Sequence, residues 1–391
     1  MLVYLAAGEA SGDILGGRLM AALRRRRPDL AFAGIGGERM AEQGLDSLFP
    51  LDELALMGLL EVLPNLRRLA RRLHQAATDV VARQPAVLVT IDAPGFTLRL
   101  AERVRAAAPG IRIVHYVAPQ VWAWRPGRVA GIGRRVDRIL ALLPFEAAFF
   151  EAAGIPVTFV GHPVLESGAA AGNAARFRVA HGVSPEDRPL VIMPGSRRSE
   201  VARLLPVFGA ALRLLAAEIP GLRPVVPLAG LVEDAVREGT SGWPAAPILL
   251  RDAAGKNDAY AAAAAGLIKS GTSSLEMAVA GVPHVVGYRV NPITAEIVRR
   301  LIKVPHVSLT NLLAEREVVP ELLQQACTPA GLAAALLPLL LEPAAVAKQR
   351  AGFAKVAARL RPPGGGIPSG AASLAVLDVC HWARLESRGA S

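Results

Sequence analysis

The feature that most restricts the fold is a motif that occurs twice, nearly two hundred residues apart: a short apolar run, a glycine turn, then a helical pattern. The first copy is Leu2–Ala7 followed by Gly8-Glu9-Ala10-Ser11-Gly12-Asp13, with a helix expected from about Asp13. The second is Leu190–Met193 followed by Pro194-Gly195-Ser196-Arg197. After the first come apolar runs at Leu30–Gly34, Ala86–Ile91, Ile111–Val117, Arg138–Leu142 and Val157–Val160. After the second come Arg223–Pro227, Pro247–Leu250, Ala265–Lys269 and His284–Tyr288. Most are continuous rather than alternating, as strands buried on both faces of a parallel sheet are. The pattern predicts an α/β chain of two doubly wound, Rossmann-like domains facing a shared cleft. The expected limits are 1–166, a small and polar linker at 167–189, 190–360, and a tail 361–391. That tail opens on Arg361-Pro362-Pro363-Gly364-Gly365-Gly366 and ends in a helix around Ala371–Leu385, expected to cross back onto the first domain or to be exchanged between protomers.

Composition narrows the class. With 52% hydrophobic residues in 391, two cores can be filled. The longest apolar stretches, Ala259–Ile268 and Pro329–Leu341, fall short of the roughly 20 residues that span a bilayer. The opening residues have no basic region and reach Glu9 early, unlike a signal peptide. Cys327 and Cys380 join no Cys-x-x-Cys or Cys/His cluster, which points away from disulfide and zinc frameworks and toward a reducing cytoplasm. The net charge of +11 suits nucleic acid, anionic membrane or a phosphorylated substrate. It is spread over both halves and is almost all Arg, so it selects none of them.

Several segments could carry chemistry. Glycine turns after strands bring backbone amides to a helix N-terminus, where anions are favoured. At Gly8–Asp13 the alternative is a plain turn capped by Ser11 or Asp13. At Gly195-Ser196-Arg197 a diphosphate suits better, since Arg197 adds a bidentate cation. Ser270-Gly271-Thr272-Ser273 with Glu276 fits both a phosphate and ribose site and a capping box from Ser273 to Glu276. Asp92 ends the Ala86–Ile91 run at the ligand edge of a parallel sheet, placed to accept a proton, or to cap the helix after Pro94. Trp122-Ala123-Trp124-Arg125 gathers two of the four Trp beside an Arg, fit to stack on a sugar, cover an acyl chain or close a satellite cluster. Leu54–Leu73 sets apolar residues beside paired arginines, as in a packed amphipathic helix or a contact with an anionic membrane. No Asp-x-Asp occurs, so helix N-termini and cationic side chains are expected to stabilise a departing nucleotide diphosphate.

Together and in this order, the segments resemble the lipid-A-disaccharide synthase family. The resemblance runs through Gly8–Asp13, Met57–Leu63, Ile91-Asp92-Ala93-Pro94, His115–Arg125, Leu143-Pro144-Phe145-Glu146, Gly161-His162-Pro163, Pro194–Arg197, Ser270–Thr272 with Leu275-Glu276, Val286–Arg289, and Ser308-Leu309-x-Asn311-Leu312-Leu313. The Trp-Ala-Trp-Arg loop and the Ser-Leu-x-Asn-Leu-Leu run are its specific parts.

The resemblance implies a GT-B fold and an inverting glycosyl transfer. UDP-2,3-diacylglucosamine would be joined to 2,3-diacylglucosamine 1-phosphate (lipid X) through a β-1,6 bond, releasing UDP, in lipid A biosynthesis. It implies Asp92 as general base with Glu9 beside it, and Ser11, Gly12, Trp122 and Arg125 toward the acceptor. Gly195, Ser196 and Arg197 would hold the UDP phosphates with Ser270, Gly271, Thr272 and Ser273. Glu276 would bind the ribose, and Tyr288, Arg289 and Asn311 would complete the donor site. No cofactor and no metal are implied. The expected setting is the cytoplasmic, inner face of the inner membrane, held through Leu54–Leu73, with a homodimer formed by exchange of the tail and no nucleic-acid partner. The chain departs from the family at Ala262–Gly266, where an acidic residue is common, and at Lys269, where a small one is. Other readings are a UDP-N-acetylglucosamine epimerase, an undecaprenyl-linked glucosaminyltransferase, or a non-catalytic basic protein binding nucleic acid or membrane.

Overall fold

A computed structural model describes residues 1–54, 59–124, 127, 129–291 and 305–389; the side chains of 59–66, 123–124, 231 and 381–389 lie outside the description. The chain divides into two compact units, residues 1–163 with 360–391, and residues 164–359.

The first unit is built on a six-stranded sheet: β1 (Leu2–Ala7), β2 (Ala31–Ile35), β3 (Val87–Ile91), β4 (Arg112–Tyr116), β5 (Arg138–Ala141) and β6 (Val157–Phe159). The order is β2-β1-β3-β4-β5-β6, every pairing parallel. Because β1 and β3 carry apolar residues on both faces and are buried throughout except at Leu2, they take the middle of the sheet. The chain runs from β1 outward to β2, then crosses to the other side of β1 to make β3. The gap beyond the C-terminal ends of β1 and β3 is therefore the topological switch point, where doubly wound sheets bind ligands.

The second unit repeats the design with β7 (Arg188–Met193), β8 (Leu222–Pro227), β9 (Ile248–Leu250), β10 (Ala265–Ile268), β11 (His284–Tyr288) and β12 (Glu321–Leu323). Its order is β12-β11-β10-β7-β8-β9, again all parallel. The switch point here lies beyond β7 and β10. The edge strand β12 escapes a reading of apolar runs because it is three residues long and half-buried.

One boundary differs from the sequence reading. The stretch 167–189 is not a bare linker, since it holds the helix Ala174–His181. Asn173 caps that helix by accepting from the Arg176 amide, Gly182 closes it in the left-handed region, and Phe177 is buried with Val183 and Tyr260. Small residues hid the helix by diluting its apolar face. The tail helix, Pro368–Gly389, packs on the helix Ala10–Arg26 of the first unit. There Arg26 donates to Ser373 at 3.0 Å and Arg138 pairs with Asp378 at 2.6 Å.

In the helix Leu59–Arg83, Leu73, Ala76, Ala77 and Val80 are buried at helical spacing, while Arg67 and Arg71 face solvent. Arg72 pairs with Glu53 and lies over the Phe49 ring. The part of Leu54–Leu73 read as a membrane patch falls largely on side chains outside the description. Among the described residues no single helix is long and apolar enough to cross a membrane.

Candidate active site

At the first switch point two carboxylates meet across one hydroxyl. Gly8 follows β1, and Glu9 in extended backbone is the N-cap residue of the helix Ala10–Arg26, which starts three residues earlier than expected. Ser11 then projects from the first turn, its Oγ 2.8 Å from Glu9 Oε1 and 3.0 Å from Asp92 Oδ2. A hydroxyl has one proton, so Ser11 serves one carboxylate fully at a time and links the two. Asp92 follows β3 and adopts φ 52°, with Ala93 at 41°, two consecutive non-glycine residues in the left-handed region. Such backbone persists only where its surroundings hold it. Here Asp92 N donates to Tyr116 O, Ala93 N donates to Asp92 Oδ1 at 2.8 Å, and Thr97 Oγ1 donates to Asp92 O at 2.5 Å. The capping alternative fails, since Ala93 is the N-cap residue of the helix Pro94–Ala107 and no side chain caps it.

Gly8 makes this convergence sterically feasible: a Cβ there would lie 2.3 Å from Ala93 Cβ. Asp13 does not cap its own helix either. It accepts from the amides of Gly37, Arg39 and Met40, fastening the segment after β2. Gly12 is buried, within 3.2 Å of Ile91 O at its Cβ position, so it packs the turn onto β3.

Below Asp92, His115 on β4 is fully buried, its Nδ1 2.9 Å from Thr90 Oγ1. Burial lowers its pKa to about 4, against the opposing influence of the Asp92 charge, so the ring is neutral near pH 7. Trp122 donates from Nε1 to Glu146 Oε1 at 3.2 Å and packs edge-on against Phe145. Glu146 also accepts from the amides of Leu142 and Leu143, and burial pushes its pKa up to about 7. The sequence reading missed Glu146 as a partner of Trp122; its place at the third position of the helix Pro144–Glu151 was the signal. Arg125 lies outside the described residues.

At the second switch point the turn after β7 places Gly195 at φ 129°, with Ser196 and Arg197 exposed at the start of the helix Arg198–Glu218. The amides of Ser196 and Arg197 point to Glu200 Oε2, at 3.2 and 3.4 Å. Glu200 is buried, and its Oε1 lies 3.1 Å from Lys269 Nζ and 3.6 Å from Arg197. Neither Glu200 nor Lys269 was assigned a role from the sequence.

Lys269 opens the adjoining turn, its amide continuing the β7–β10 ladder to Met193 O. Ser270 Oγ donates to Val307 O, while Thr272 is exposed and Ser273 begins the helix Ser273–Ala280. The capping box from Ser273 to Glu276 does not form. The N-cap residue is Thr272, without a side-chain cap, and Glu276 Oε2 instead accepts from Lys256 Nζ at 2.9 Å and Tyr260 Oη at 3.0 Å. Tyr288 is half-buried at the end of β11, and burial raises its pKa. Arg289 follows it with a buried Nε that has no partner among the described residues.

Asn311 departs from the donor-site expectation. It is fully buried, and its amide donates to Val319 O and Glu321 Oε1 and accepts from the amides of Val318 and Val319, at 2.7 to 2.9 Å. All four hydrogen-bonding positions are used. Asn311 therefore folds the segment leading to β12 and has none left for a ligand.

Both switch points thus carry polar groups suited to a hydroxyl nucleophile in one unit and an anion in the other. A family model described as lipid-A-disaccharide synthetase matches residues 3–363. The chain belongs to the lipid-A-disaccharide synthetase family. It is 52% identical over 380 residues to the lipid-A-disaccharide synthase of Gluconobacter oxydans, covering 97% of this chain and 91% of that protein. It is also 52% identical over 389 residues to the one from Granulibacter bethesdensis, covering 97% and 98%. Among solved structures, a putative UDP-N-acetylglucosamine 2-epimerase from Listeria monocytogenes is similar with a TM-score of 0.65 at 14% identity, covering 96% of this chain and 94% of that one. That likeness is one of fold, the GT-B fold of two parallel-sheet units. Membership makes this chain a glycosyltransferase of lipid A biosynthesis acting on lipid A precursors, and sets aside the epimerase and the non-catalytic readings.

Proposed function

We propose that this chain transfers the diacylglucosaminyl group of UDP-2,3-diacylglucosamine to the 6-hydroxyl of 2,3-diacylglucosamine 1-phosphate, with inversion, giving the β-1,6-linked disaccharide 1-phosphate and UDP. The observation that carries the chemistry is Asp92 at the first switch point. Ala93 N fixes its Oδ1 and Ser11 its Oδ2. A carboxylate held this way can accept the acceptor's hydroxyl proton as the oxygen attacks the sugar's anomeric carbon. Glu9, sharing the Ser11 hydroxyl, stands beside Asp92 on the acceptor side. Trp122, anchored by Glu146, serves the acceptor, and Arg125 joins it in this reading.

On the donor side, the Gly195 amide, the Ser196 hydroxyl, the Arg197 guanidinium and the Ser270–Ser273 hydroxyls take the diphosphate and its charge as UDP departs. Glu276, oriented by Lys256 and Tyr260, takes the ribose diol. Tyr288 and Arg289 line the donor side. The exposed arginines Arg67 and Arg71 and the apolar start of the Leu59–Arg83 helix suit a peripheral contact with the anionic inner face of the inner membrane, from which both acylated substrates come. A homodimer through the tail remains part of the reading.

The test is UDP release from purified protein given both acylated glucosamines. Asp92→Asn keeps an acceptor for Ala93 N and tolerates the left-handed backbone, so thermal stability should hold while kcat falls about 10²- to 10⁴-fold. A variant that releases UDP at the wild-type rate removes Asp92 from the base role. No release from wild type overturns the substrate assignment.

A further inference from the structure

The donor turn already holds a negative charge of its own. Glu200 sits at the third position of the helix Arg198–Glu218, and its carboxylate reaches back to the amides of Ser196 and Arg197. Those amides are thereby taken, which leaves the Gly195 amide, the Ser196 hydroxyl and the Arg197 guanidinium to meet the diphosphate of the proposed reading. Fixing the two amides with a buried carboxylate has an electrostatic consequence, because an anion arriving at the turn meets a like charge from which little water screens it. Gly195 makes room for Glu200 against the turn: a Cβ there would lie 2.4 Å from Glu200 Oε2 and 2.7 Å from Glu200 Cβ.

Lys269 answers that charge. Its ammonium lies 3.1 Å from Glu200 Oε1, on the side away from the turn amides, and its side chain is only 22% exposed. It also lies 3.5 Å from the Cβ position of Gly271, so it sits beside its own glycine turn and reaches the carboxylate that holds the other. Arg197 is the other cation near Glu200, at 3.6 Å, but its side chain is 66% exposed and free to turn toward a ligand. A buried carboxylate needs a partner that stays, and Lys269 is the one placed to stay.

We propose that Lys269 is a positioning residue of the donor site. By neutralising Glu200 it lets that carboxylate pin the Ser196 and Arg197 amides without repelling the diphosphate of the incoming nucleotide sugar. This rests on the reading of the Gly195–Arg197 turn as a diphosphate site.

Titration calorimetry with UDP, and steady-state UDP release at varied donor and acceptor concentrations, test this. Lys269→Met is expected to weaken UDP binding and raise the donor KM by about tenfold to a hundredfold, the size of one charged hydrogen bond, with the acceptor KM unchanged. Lys269→Arg should restore most of the affinity. The deciding variant is Lys269→Met with Glu200→Gln, which removes the uncompensated charge and keeps an acceptor for the turn amides. It should bind UDP within a few-fold of wild type, and it provides a folded comparison should Lys269→Met alone unfold. If the double variant binds UDP as weakly as Lys269→Met, or if Lys269→Met binds as tightly as wild type, the inference is overturned while the donor-site reading stands. If wild type itself binds no UDP, the donor-site reading fails and takes the inference with it.

Discussion

The contact between Gly8 and Ala93 allows a sharp test of how the first switch point is assembled. In Gly8→Ala the new methyl would sit 2.3 Å from Ala93 Cβ, and the next nearest atoms, Thr97 Cγ2 and Ala93 Cα, lie at 3.6 and 3.7 Å, ordinary contact distances. Two methyl carbons need close to 4 Å, so the β1 turn and the Asp92 loop must separate by more than 1 Å. Overpacking of this kind costs about 1–3 kcal/mol, and losing a glycine from the unfolded chain returns only about 0.4–1 kcal/mol. The net expectation is a loss of about 1–2 kcal/mol, or roughly 2–8 °C in the melting temperature of a unit this size. The same separation lengthens the 3.0 Å contact of Ser11 with Asp92, so UDP release should fall more than stability does.

Adding Ala93→Gly removes the only atom in severe conflict. It also places glycine where the backbone already has φ 41°. In the exchanged pair one glycine is lost and one gained, so the unfolded-chain terms cancel and geometry alone is read. Thermal unfolding by circular dichroism with parallel activity assays should show the pair within about 1 kcal/mol of wild type, from the near-cancellation of these terms. If the pair is as unstable as Gly8→Ala alone, the proximity argument is wrong; a neutral Gly8→Ala would refute it outright.

Three further outcomes follow from buried polar groups. His115, His162 and His284 are each held near a pKa of about 4 by burial, against 6.5 in the unfolded chain. The unfolded chain therefore binds protons between these values that the fold refuses, and stability present above pH 6.5 is lost as the pH falls toward 4. Glu146 runs the opposite way: its carboxyl, raised from 4.5 to about 7, favours the fold below pH 4.5 and loses that contribution as the pH rises to 7. Glu146→Gln, which keeps an acceptor for the Leu142 and Leu143 amides, should therefore gain on wild type across pH 4.5–7, by up to about 3 kcal/mol; parallel melting curves would contradict this. Asn311→Ala leaves the Val318 and Val319 amides and the Val319 carbonyl unpaired in the interior. It should cost about 3 kcal/mol or more, read as an early denaturant midpoint, and a normal midpoint with weakened UDP binding would instead return Asn311 to the donor site.

Much of the architecture was legible because parallel strands buried on both faces must be apolar throughout, and because a strand followed by glycine and a helix has few other uses. Those rules located β1, β3, β7 and β10 within one or two residues, and with them the turns that hold Glu9, Asp92, Arg197 and Ser270. Asp92 could be picked out from its place at a strand end. What residue spacing could not supply was the pairing of side chains across strands. The reach of Glu200 back to two amides is a local contact that its third helical position signals, but the meeting of Lys269 with Glu200 over 69 residues and the turning of Glu276 toward Lys256 and Tyr260 depend on how the elements are ordered around the sheet. The same holds for Asn311, whose motif suggested a ligand and whose burial consumes every bond it can make. Sequence by itself determined which strand ends carry polar chemistry, since hydrophobic periodicity is a local property. Tertiary structure decided which of those groups are satisfied within the fold and which stay open to a substrate, since hydrogen bonds and charges are settled by neighbours that the order of residues does not name.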